Sequence, residues 1–575
     1  MEAWAKERPL ARQSDNLNVG WERSFMGIVI VDGKEVEIGP HERLNGIQVA
    51  ARAGIEIPHY CWHPGLSVVA SCRMCLVEVG TRDPETGQIV MLPKLVPACN
   101  TLAKDGMVFV TNSEKVAHAR AMVEEDLLLR HPIDCPICDK AGECRLQDYH
   151  FKYGQSERRA ELQPFSSRKR DIGDVTLFVD RCIMCTRCVR FTREITGTSE
   201  LLVVNRGAHE EIDVLPELPL NNKLSGNVVD LCPVGALADK DFLYKQRVWF
   251  LRRQPSVCPH CATGCSIWVE ENQDRIYRIK PRENLAVNQW WICNDGRYGY
   301  PFVHHPQRLR GAWKRQRENL LQVDWSAALH WMTDKLLQAK RPAVCLSPFL
   351  TNEEAYLVCH WIKVNESRIV VSLGPIPREG ENERFPGGFV ISAEKCPNRL
   401  GVEGVAYWFQ ESPLSFERLL AEVESGEIDA VVVLGGYIKP WINPEQAELL
   451  RRAKFLALAD LFPSPLSSKA DLVLGMTAFA EHEGSYVNRQ HRLQWLTRAI
   501  RPPLGSRSLG DLLWQWNVMT GLYKPRPYRA REILRVMAQD IPYFSAAMGE
   551  IPEHGVDLRV NQLAEHGASS EQQTT

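Results

Sequence analysis

The stretch DRCIMCTRCVRF (residues 180–191) and its distant answer DLCPVGAL (230–237) decide how this chain is read. Cys182, Cys185 and Cys188 follow one another at two-residue gaps, and 43 residues intervene before Cys232, which directly precedes Pro233. Such a run sets three thiolates on one side of a cubane, and a remote Cys-Pro supplies the fourth ligand that a 4Fe–4S cluster takes. Cys232 can close that same site or cross-ligate with the preceding set, as happens in two-cluster ferredoxins. Pro233, lacking an N–H, keeps the backbone from competing for the thiolates. Arg181, Arg187, Arg190 and Arg193 crowd the same stretch, either to compensate an anionic cluster or as a solvated helix face.

Working outward, the cysteine pattern recurs on both sides. Upstream, HPIDCPICDKAGECRLQDY (131–149) offers His131, Cys135, Cys138 and Cys144. On spacing alone, three cysteines and one histidine make as good a zinc site as an iron–sulfur site. With iron, a neutral imidazole in place of one thiolate removes negative charge and raises the reduction potential. Further upstream, CWHPGLSVVASCRMCLVEV (61–79) and VPAC (96–99) supply Cys61, Cys72, Cys75 and Cys99, with 10, 2 and 23 residues between them. A loop that gathers three thiolates and a distant strand that donates the fourth suit a 2Fe–2S cluster; a zinc knuckle or buried apolar cysteines is the alternative. Gly65, Ser67, Ala70 and Ser71 are small enough to let the backbone wrap and donate N–H groups to sulfur. Downstream, VCPHCATGC (257–265) and NQWWICNDGRYGY (288–300) carry Cys258, Cys261, Cys265 and Cys293, another 4Fe–4S set with a zinc ribbon as competitor.

Counting decides between these options. Of 18 cysteines, fifteen lie between Cys61 and Cys293, and with His131 they make four complete tetrads with none left over. Cys345, Cys359 and Cys396 stand at no metal-ligand spacing and are packing or surface residues. One 2Fe–2S and three 4Fe–4S clusters are therefore expected.

The remaining composition narrows the class. A chain of 575 residues divides into several domains. With 44% hydrophobic and 24% charged residues and a net charge of −2, it has no basic excess to make nucleic acid its main partner. It contains no apolar run of about 18 residues, so no transmembrane helix is expected. MEAWAKERPLARQSDNLNVGWERS (1–24) has no apolar core of a secretory signal and reads as a flexible extension. Without a secretory signal, metal ligation explains the cysteines better than disulfides.

GIVIVDGKEVEIG (27–39) reads as two short strands around the hairpin dipeptide Asp32-Gly33, and HERLNGIQVAARAG (41–54) as a helix stopped by Gly54. Strand, strand, helix, then a cysteine loop is the order of β-grasp ferredoxins. SEKVAHARAMVEEDLLLR (113–130) predicts an amphipathic helix. After about residue 320, apolar runs PAVCLS (342–347), RIVVSLG (368–374), IDAVVVLGG (428–436), FLALADLF (455–462) and ADLVLGM (470–476) alternate with helical stretches, which predicts an α/β domain with a largely parallel sheet. Gly435-Gly436 is read as a plain turn rather than a phosphate loop.

The motifs resemble a known family. HPIDCPICDKAGECRLQDY, SGNVVDLCPVGAL (225–237) and NQWWICNDGRYGY are similar to the large iron–sulfur subunit of bacterial respiratory NADH:quinone oxidoreductase, complex I. The likeness is strong over 26–310. It extends through LSPFLTNEEAYL (346–357) and ADLVLGMTAFAEHEGSYVNRQHRLQW (470–495), which resemble the molybdopterin-oxidoreductase domain of that family. The resemblance implies a 2Fe–2S cluster on the Cys61 set and a His-ligated 4Fe–4S cluster on the His131 set, which resolves the zinc ambiguity. It implies a 4Fe–4S cluster on the Cys182 set and an additional one, off the main electron path and generally missing from mitochondrial members, on the Cys258 set. Only 282 residues follow Cys293, and the sole Cys-His pair, Cys359-His360, sits inside the helix NEEAYLVCHW (352–361), so no molybdopterin is expected.

The domains implied are a flexible extension (1–25), a 2Fe–2S ferredoxin-like domain (26–112) and a 4Fe–4S domain with one His and three Cys ligands (113–158). A bacterial-ferredoxin-like 4Fe–4S domain (159–250), a molybdopterin-oxidoreductase-type 4Fe–4S domain (251–310), a shortened α/β domain without cofactor (311–545) and a polar tail (546–575) follow. The expected function is relay of single electrons from a flavin-bearing NADH-oxidising partner, past other peripheral-arm subunits, toward quinone. No residue of this chain would act in acid–base catalysis, and NADH and quinone would bind elsewhere. The resemblance places it on the cytoplasmic face of the bacterial inner membrane, reaching the membrane only through partners. A formate dehydrogenase or iron hydrogenase would need a molybdenum ligand or tandem-cysteine motifs that are missing. An accessory subunit of an NAD-reducing hydrogenase would be a relay with a different partner, and a zinc-stabilised scaffold would do no redox work.

Overall fold

The computed structural model describes residues 27–157, 159, 168–207, 209–317, 319–366 and 368–559. The extension read at 1–25 and the tail beyond Arg559 lie outside the described residues. The chain forms two compact units, one of residues up to 62, 68–129 and 149–161, the other of 63–67, 130–148 and everything from 162 onward.

In the first unit β1 (Gly27–Val31) and β2 (Lys34–Ile38) pair antiparallel from Gly27↔Ile38 to Val31↔Lys34. Asp32 and Gly33 both take positive φ (47° and 81°), as a tight hairpin of that hand requires. The sheet continues through β3 (Leu76–Arg82), β4 (Ile89–Met91), β5 (Val96–Pro97) and β6 (Met107–Val110) in the order β2-β1-β6-β3-β4, with β5 on β3. The helix Gly46–Arg52 starts at a capping box, Asn45 accepting from the Gln48 N–H and Gln48 from the Asn45 N–H. Its buried Ile47, Val49 and Ala50 join Val29, Val31, Val77 and Phe109 in one core.

The helix Glu114–Arg130 forms where expected, but its inward stripe is Val116, Arg120, Ala121 and Glu124, half of it charged. The Arg120 guanidinium lies 5.2 Å over the Tyr153 ring, and Glu124 accepts from the Tyr60 hydroxyl. Burial pushes the Glu124 carboxyl up to about 7, against the opposing pull of the Tyr60 bond, and its second oxygen has no partner. The folded state thus holds a proton that the unfolded chain, with an ordinary carboxylate value of 4.5, gives up. Unfolding free energy falls as pH rises from 4.5 to about 7, and the whole cost is present above that window. Glu124→Gln is expected to stabilise this helix by roughly 2–3 kcal/mol at pH 8 and hardly at pH 4. Amide exchange of 114–130 at the two pH values checks this; an equal gain at both would contradict it.

The second unit begins with a small sheet, β7 (Lys169–Asp171), β8 (Val175–Phe178) and the later β11 (Leu237–Asp239), in the order β11-β8-β7. The hairpin β9 (Leu201–Val204) and β10 (Glu211–Val214) lies between them in sequence, and the meander β12 (Arg252–Val257), β13 (Ser266–Asn272), β14 (Arg275–Pro281) follows. The α/β sheet comprises β15 (Ala312–Gln316), β16 (Asn319–Val323), β17 (Pro342–Leu346), β18 (Val370–Leu373), then, after the short pair β19 (Glu383–Arg384) and β20 (Val390–Ile391), β21 (Ala430–Leu434), β22 (Phe455–Asp460) and β23 (Leu472–Gly475). Its order is β16-β15-β23-β22-β21-β17-β18, parallel from β23 to β18 and antiparallel at the β15–β16 edge. All five apolar runs read from the sequence are its parallel strands. β17, β21, β22 and β23 are buried at every position, which is why they read as unbroken hydrophobic runs rather than alternating ones.

A last sheet, β24 (Gly484–Val487), β25 (Arg492–Leu496) and β26 (Val556–Asp557), carries the chain's folded part beyond the point where a polar tail was expected to begin. Val556 pairs with Leu493, and Leu558 is buried with its N–H on the His491 carbonyl, two apolar anchors in a polar stretch. Arg308 and Glu481 form a doubly hydrogen-bonded ion pair (2.6 and 2.7 Å), each side chain 1% exposed. Arg308 also reaches the Val303 and Met476 carbonyls, so removing either partner strands a buried charge at a cost of about 3–5 kcal/mol. Among the described residues no helix is long and apolar enough to cross a membrane.

Candidate metal centres

The Cys61 set lies wholly in the first unit. Cys61, Cys75 and Cys99 are buried and Cys72 is half-buried. The Cys61 sulfur is within hydrogen-bond reach of Cys72 and Cys99, and that of Cys75 within reach of Cys99. Ala70 and Arg73 both adopt left-handed backbone (φ 53° and 59°), which turns the loop so that the Ser71 and Cys72 N–H groups meet the Cys61 sulfur. That is the wrapping expected of Ala70 and Ser71. Gly65 does something else: a Cβ there would meet Trp290 at 2.7 Å, so the residue is small to admit an indole.

The other three sets lie in the second unit. His131, Cys135, Cys138 and Cys144 line one small hollow together with Asp134, Arg181 and Gly235. Burial first, and then the Arg181 charge, hold the His131 imidazole down at about 4, so it is neutral, the form that binds a metal. Its Nδ1 is buried without a hydrogen-bond partner, a costly condition for an imidazole unless a metal takes the lone pair.

Cys182, Cys185, Cys188 and Cys232 line a second hollow, otherwise walled mostly by aliphatic side chains such as Leu177, Ile212 and Leu237. Cys232 stands with the Cys182 set and not with the His131 set. Met184 and Thr186 take positive φ (51° and 57°), alternating with the cysteines so that three sulfurs turn inward. The four arginines part company. Arg181, Arg187 and Arg190 are buried, while Arg193 is 60% exposed beside Glu194. Arg190 donates to the Cys185 carbonyl (3.1 Å), Arg187 to the Leu231 carbonyl (3.3 Å), and Arg181 pairs with Asp134 at 2.8 Å. Burial pushes Cys185 up to about 11, with Arg187 and Arg190 opposing it. Three buried cations around the thiols fit an anionic cluster; only Arg193 is the solvated face.

Cys258, Cys261, Cys265 and Cys293 are all buried. The Cys258 N–H bonds the Cys265 carbonyl (2.9 Å), left-handed Gly264 (φ 61°) closes the loop, and Cys293 accepts from the Gly296 N–H at the start of the helix Asn294–Tyr298. Burial and repulsion by Cys261 push Cys293 up to about 12. Without cationic iron these packed thiols keep their protons; with it they become the thiolates that a cluster needs. Among the described residues no three His, Cys, Asp or Glu side chains converge on a point where one metal ion could sit. The hollows are ringed rather than filled, and an iron–sulfur cluster needs a wider cage than a single ion.

The sets are tied by contacts that motif spacing does not reveal. The Arg145 N–H, next to Cys144, bonds the Pro233 carbonyl (3.0 Å), and a Cβ on Gly235 would collide with the Cys138 sulfur. Asn227 exchanges two hydrogen bonds with the backbone of Ile292 (2.7 and 3.0 Å), joining the helix before Cys232 to the stretch of chain before Cys293. Cys345 and Cys359 lie inside a strand and a helix and Cys396 packs with Phe349 and Tyr437, all three fully buried and apart from the sets.

Ordered domains of this kind define an iron–sulfur protein with 2Fe–2S- and 4Fe–4S-binding regions, and comparison with known families agrees. Residues 28–114 match the 2Fe-2S iron-sulfur cluster binding domain, 120–159 the NADH-ubiquinone oxidoreductase-G iron-sulfur binding region, 174–238 the ferredoxin-like domain of NADH-quinone oxidoreductase subunit 3, and 251–305 the molybdopterin oxidoreductase Fe4S4 domain. This half of the chain is a relative of the large iron–sulfur (G) subunit of NADH-quinone oxidoreductase, as the motifs indicated: it is 40% identical over 318 residues to that protein of Rickettsia typhi, covering 54% of this chain and 44% of the relative. It is 38% identical over 309 residues to the NADH-ubiquinone oxidoreductase 75 kDa subunit of Reclinomonas americana, 54% of this chain and 43% of that one. The chain thus spans less than half the length of these relatives. A solved chain of an NAD+-reducing nickel–iron hydrogenase is 25% identical over 39% of this chain and 91% of its own, with a TM-score of 0.31, too loose a superposition to bear on the fold.

Proposed function

We propose that this chain is the electron-relay subunit of an NADH:quinone oxidoreductase and holds one 2Fe–2S cluster on Cys61, Cys72, Cys75 and Cys99. The three 4Fe–4S clusters are assigned to His131, Cys135, Cys138 and Cys144; to Cys182, Cys185, Cys188 and Cys232; and to Cys258, Cys261, Cys265 and Cys293. The observation that carries this reading is the orphaned, neutral His131 facing three thiols, within the stretch that matches the NADH-ubiquinone oxidoreductase-G iron-sulfur binding region. When bound, the clusters supply reversible one-electron redox chemistry. The chain's own residues exclude water, donate N–H groups to sulfur and set buried arginine charge beside the thiolates, which together tune potential.

In this scheme a flavin-bearing partner delivers electrons and quinone-site partners receive them, on the cytoplasmic face of the bacterial inner membrane. The ferredoxin-like units follow a β-grasp and a bacterial-ferredoxin plan, and the α/β domain serves as scaffold without molybdopterin. Anaerobic EPR during a redox titration, with iron and sulfide analysis, tests the reading. One 2Fe–2S and three 4Fe–4S signals are expected; a colourless, zinc-rich protein would overturn it. Cys261→Ala is expected to weaken assembly while leaving most of the turnover per assembled complex, because its set is off the main path. Full loss of turnover in complex that is correctly assembled would contradict that assignment.

A further inference from the structure

The parallel strands β18-β17-β21-β22-β23 have the order 2-1-3-4-5 along the chain, so the connections leave β17 toward opposite edges. At such a switch point the loops after the strands part and leave a crevice, the usual ligand position in open α/β sheets. A cavity of about 1070 Å3 lies there. Phe349 enters it from the loop after β17, Ile376, Arg378 and Glu379 from the loop after β18, and Tyr437, Lys439 and Trp441 from the loop after β21.

Its lining is two-faced. On one wall Lys439 (2.8 Å) and Lys395 (3.8 Å) share the single carboxylate of Glu379, and Arg378 stands 3.9 Å from Glu394, leaving positive charge unmatched. On the other wall stand Asp239, Asp241 and Asp295. Between them Tyr437 and Trp441 stack at 4.5 Å and 16°, held by Tyr437 donating to the Pro375 carbonyl and the Trp441 indole to Asp460, both at 2.9 Å. The Gly436 N–H is already given to Asp460, so Gly435-Gly436 is a turn and the lysines, not a glycine loop, are the anion donors. No cysteine belongs to the described lining, and Cys345, Cys359 and Cys396 are buried elsewhere, so a molybdenum-bearing pterin finds no thiolate here.

We propose that this cavity binds a nucleoside phosphate, its ring against the Tyr437–Trp441 stack and its phosphates on Lys395, Lys439 and Arg378. Acceptors on the aspartate wall would take ribose hydroxyls and ring N–H groups. The site is separate from the electron path. A rigid aromatic face, clustered cations and an opposing acceptor wall together suit such a ligand better than a bare anion, which has no use for the ring or the aspartates.

The test is calorimetric and fluorescence titration of the full cluster-loaded chain with ADP, GDP, adenosine and inorganic phosphate. ADP or GDP is expected to saturate and quench tryptophan emission, with adenosine and phosphate each weaker by about tenfold or more. A Lys395→Ala/Lys439→Ala variant is expected to lose about tenfold or more in nucleotide affinity while its cluster EPR spectrum is unchanged. Trp441→Ala should weaken binding and abolish most of the quench. No saturable binding of either nucleotide at millimolar concentration would overturn the proposal. So would phosphate binding as tightly as ADP, or nucleotide binding that all three substitutions leave intact.

Discussion

Cys185→Ala removes one 4Fe–4S signal and brings NADH-driven quinone reduction in the assembled complex to background. Cys185 sits at the centre of the C-x2-C-x2-C run, buried, with its carbonyl held by Arg190 and its sulfur facing the same hollow as Cys182, Cys188 and Cys232. That hollow's other walls are largely aliphatic, so no side chain stands ready to replace the lost thiolate. Arg187 and Arg190 would then lie buried beside a site short of one negative charge, which adds a cost of about 3–5 kcal/mol of the kind incurred when one partner of a buried ion pair is removed. Cys185→Ser separates loss of the cluster from loss of the fold: an oxygen ligand retains a cluster with a changed spectrum, whereas a collapsed domain retains none. Quinone reduction at the parent rate with that signal absent would refute the relay role.

How much of this was legible in the sequence follows from the range over which each feature acts. Ligand sets were readable because a cluster demands a fixed donor count, and turns that present cysteines leave short, regular gaps. The parallel strands were readable because burial on both faces leaves unbroken apolar runs, as in Ala430–Leu434. What escaped was decided by contacts across long stretches of chain. Arg187 and Arg193 look alike in DRCIMCTRCVRFTRE, yet one is buried and donates to the Leu231 carbonyl while the other is solvated. The helix Glu114–Arg130 was expected to bury an apolar stripe, but Glu124 meets Tyr60 and Arg120 meets Tyr153, partners that periodicity within one helix does not announce. Val556 and Leu558 were lost in a polar stretch because two anchors make no periodic pattern; only the open edge of β25 gives them a place.

Gly235→Ala is the sharper test of how the cages are coupled, and it is expected to abolish or severely distort the His131-ligated cluster. Gly235 lies three residues after Cys232 in the Cys-Pro loop, yet its α-carbon faces the other set, where a methyl group would be driven onto the Cys138 sulfur. The next neighbours are the Lys140 Cβ at 3.3 Å and the Arg181 Cδ at 3.8 Å, so the methyl group has backbone-tethered atoms around it rather than open space. Gly235 is not among the glycines with positive φ, so its role is space and not backbone freedom. Overpacking of this kind costs about 1–3 kcal/mol in an ordinary core, and here the side chain that must yield is a proposed ligand whose position sets whether four donors meet. The loss should therefore fall first on the His131-set signal, and the Cys182-set signal should survive with at most a shifted potential, since Cys232 itself keeps its place at the end of the helix Asn227–Leu231. EPR of the variant decides between the outcomes. Both signals intact at parent potentials would show that the Cys138 sulfur is free to move aside and that the two cages are not mechanically linked through Gly235.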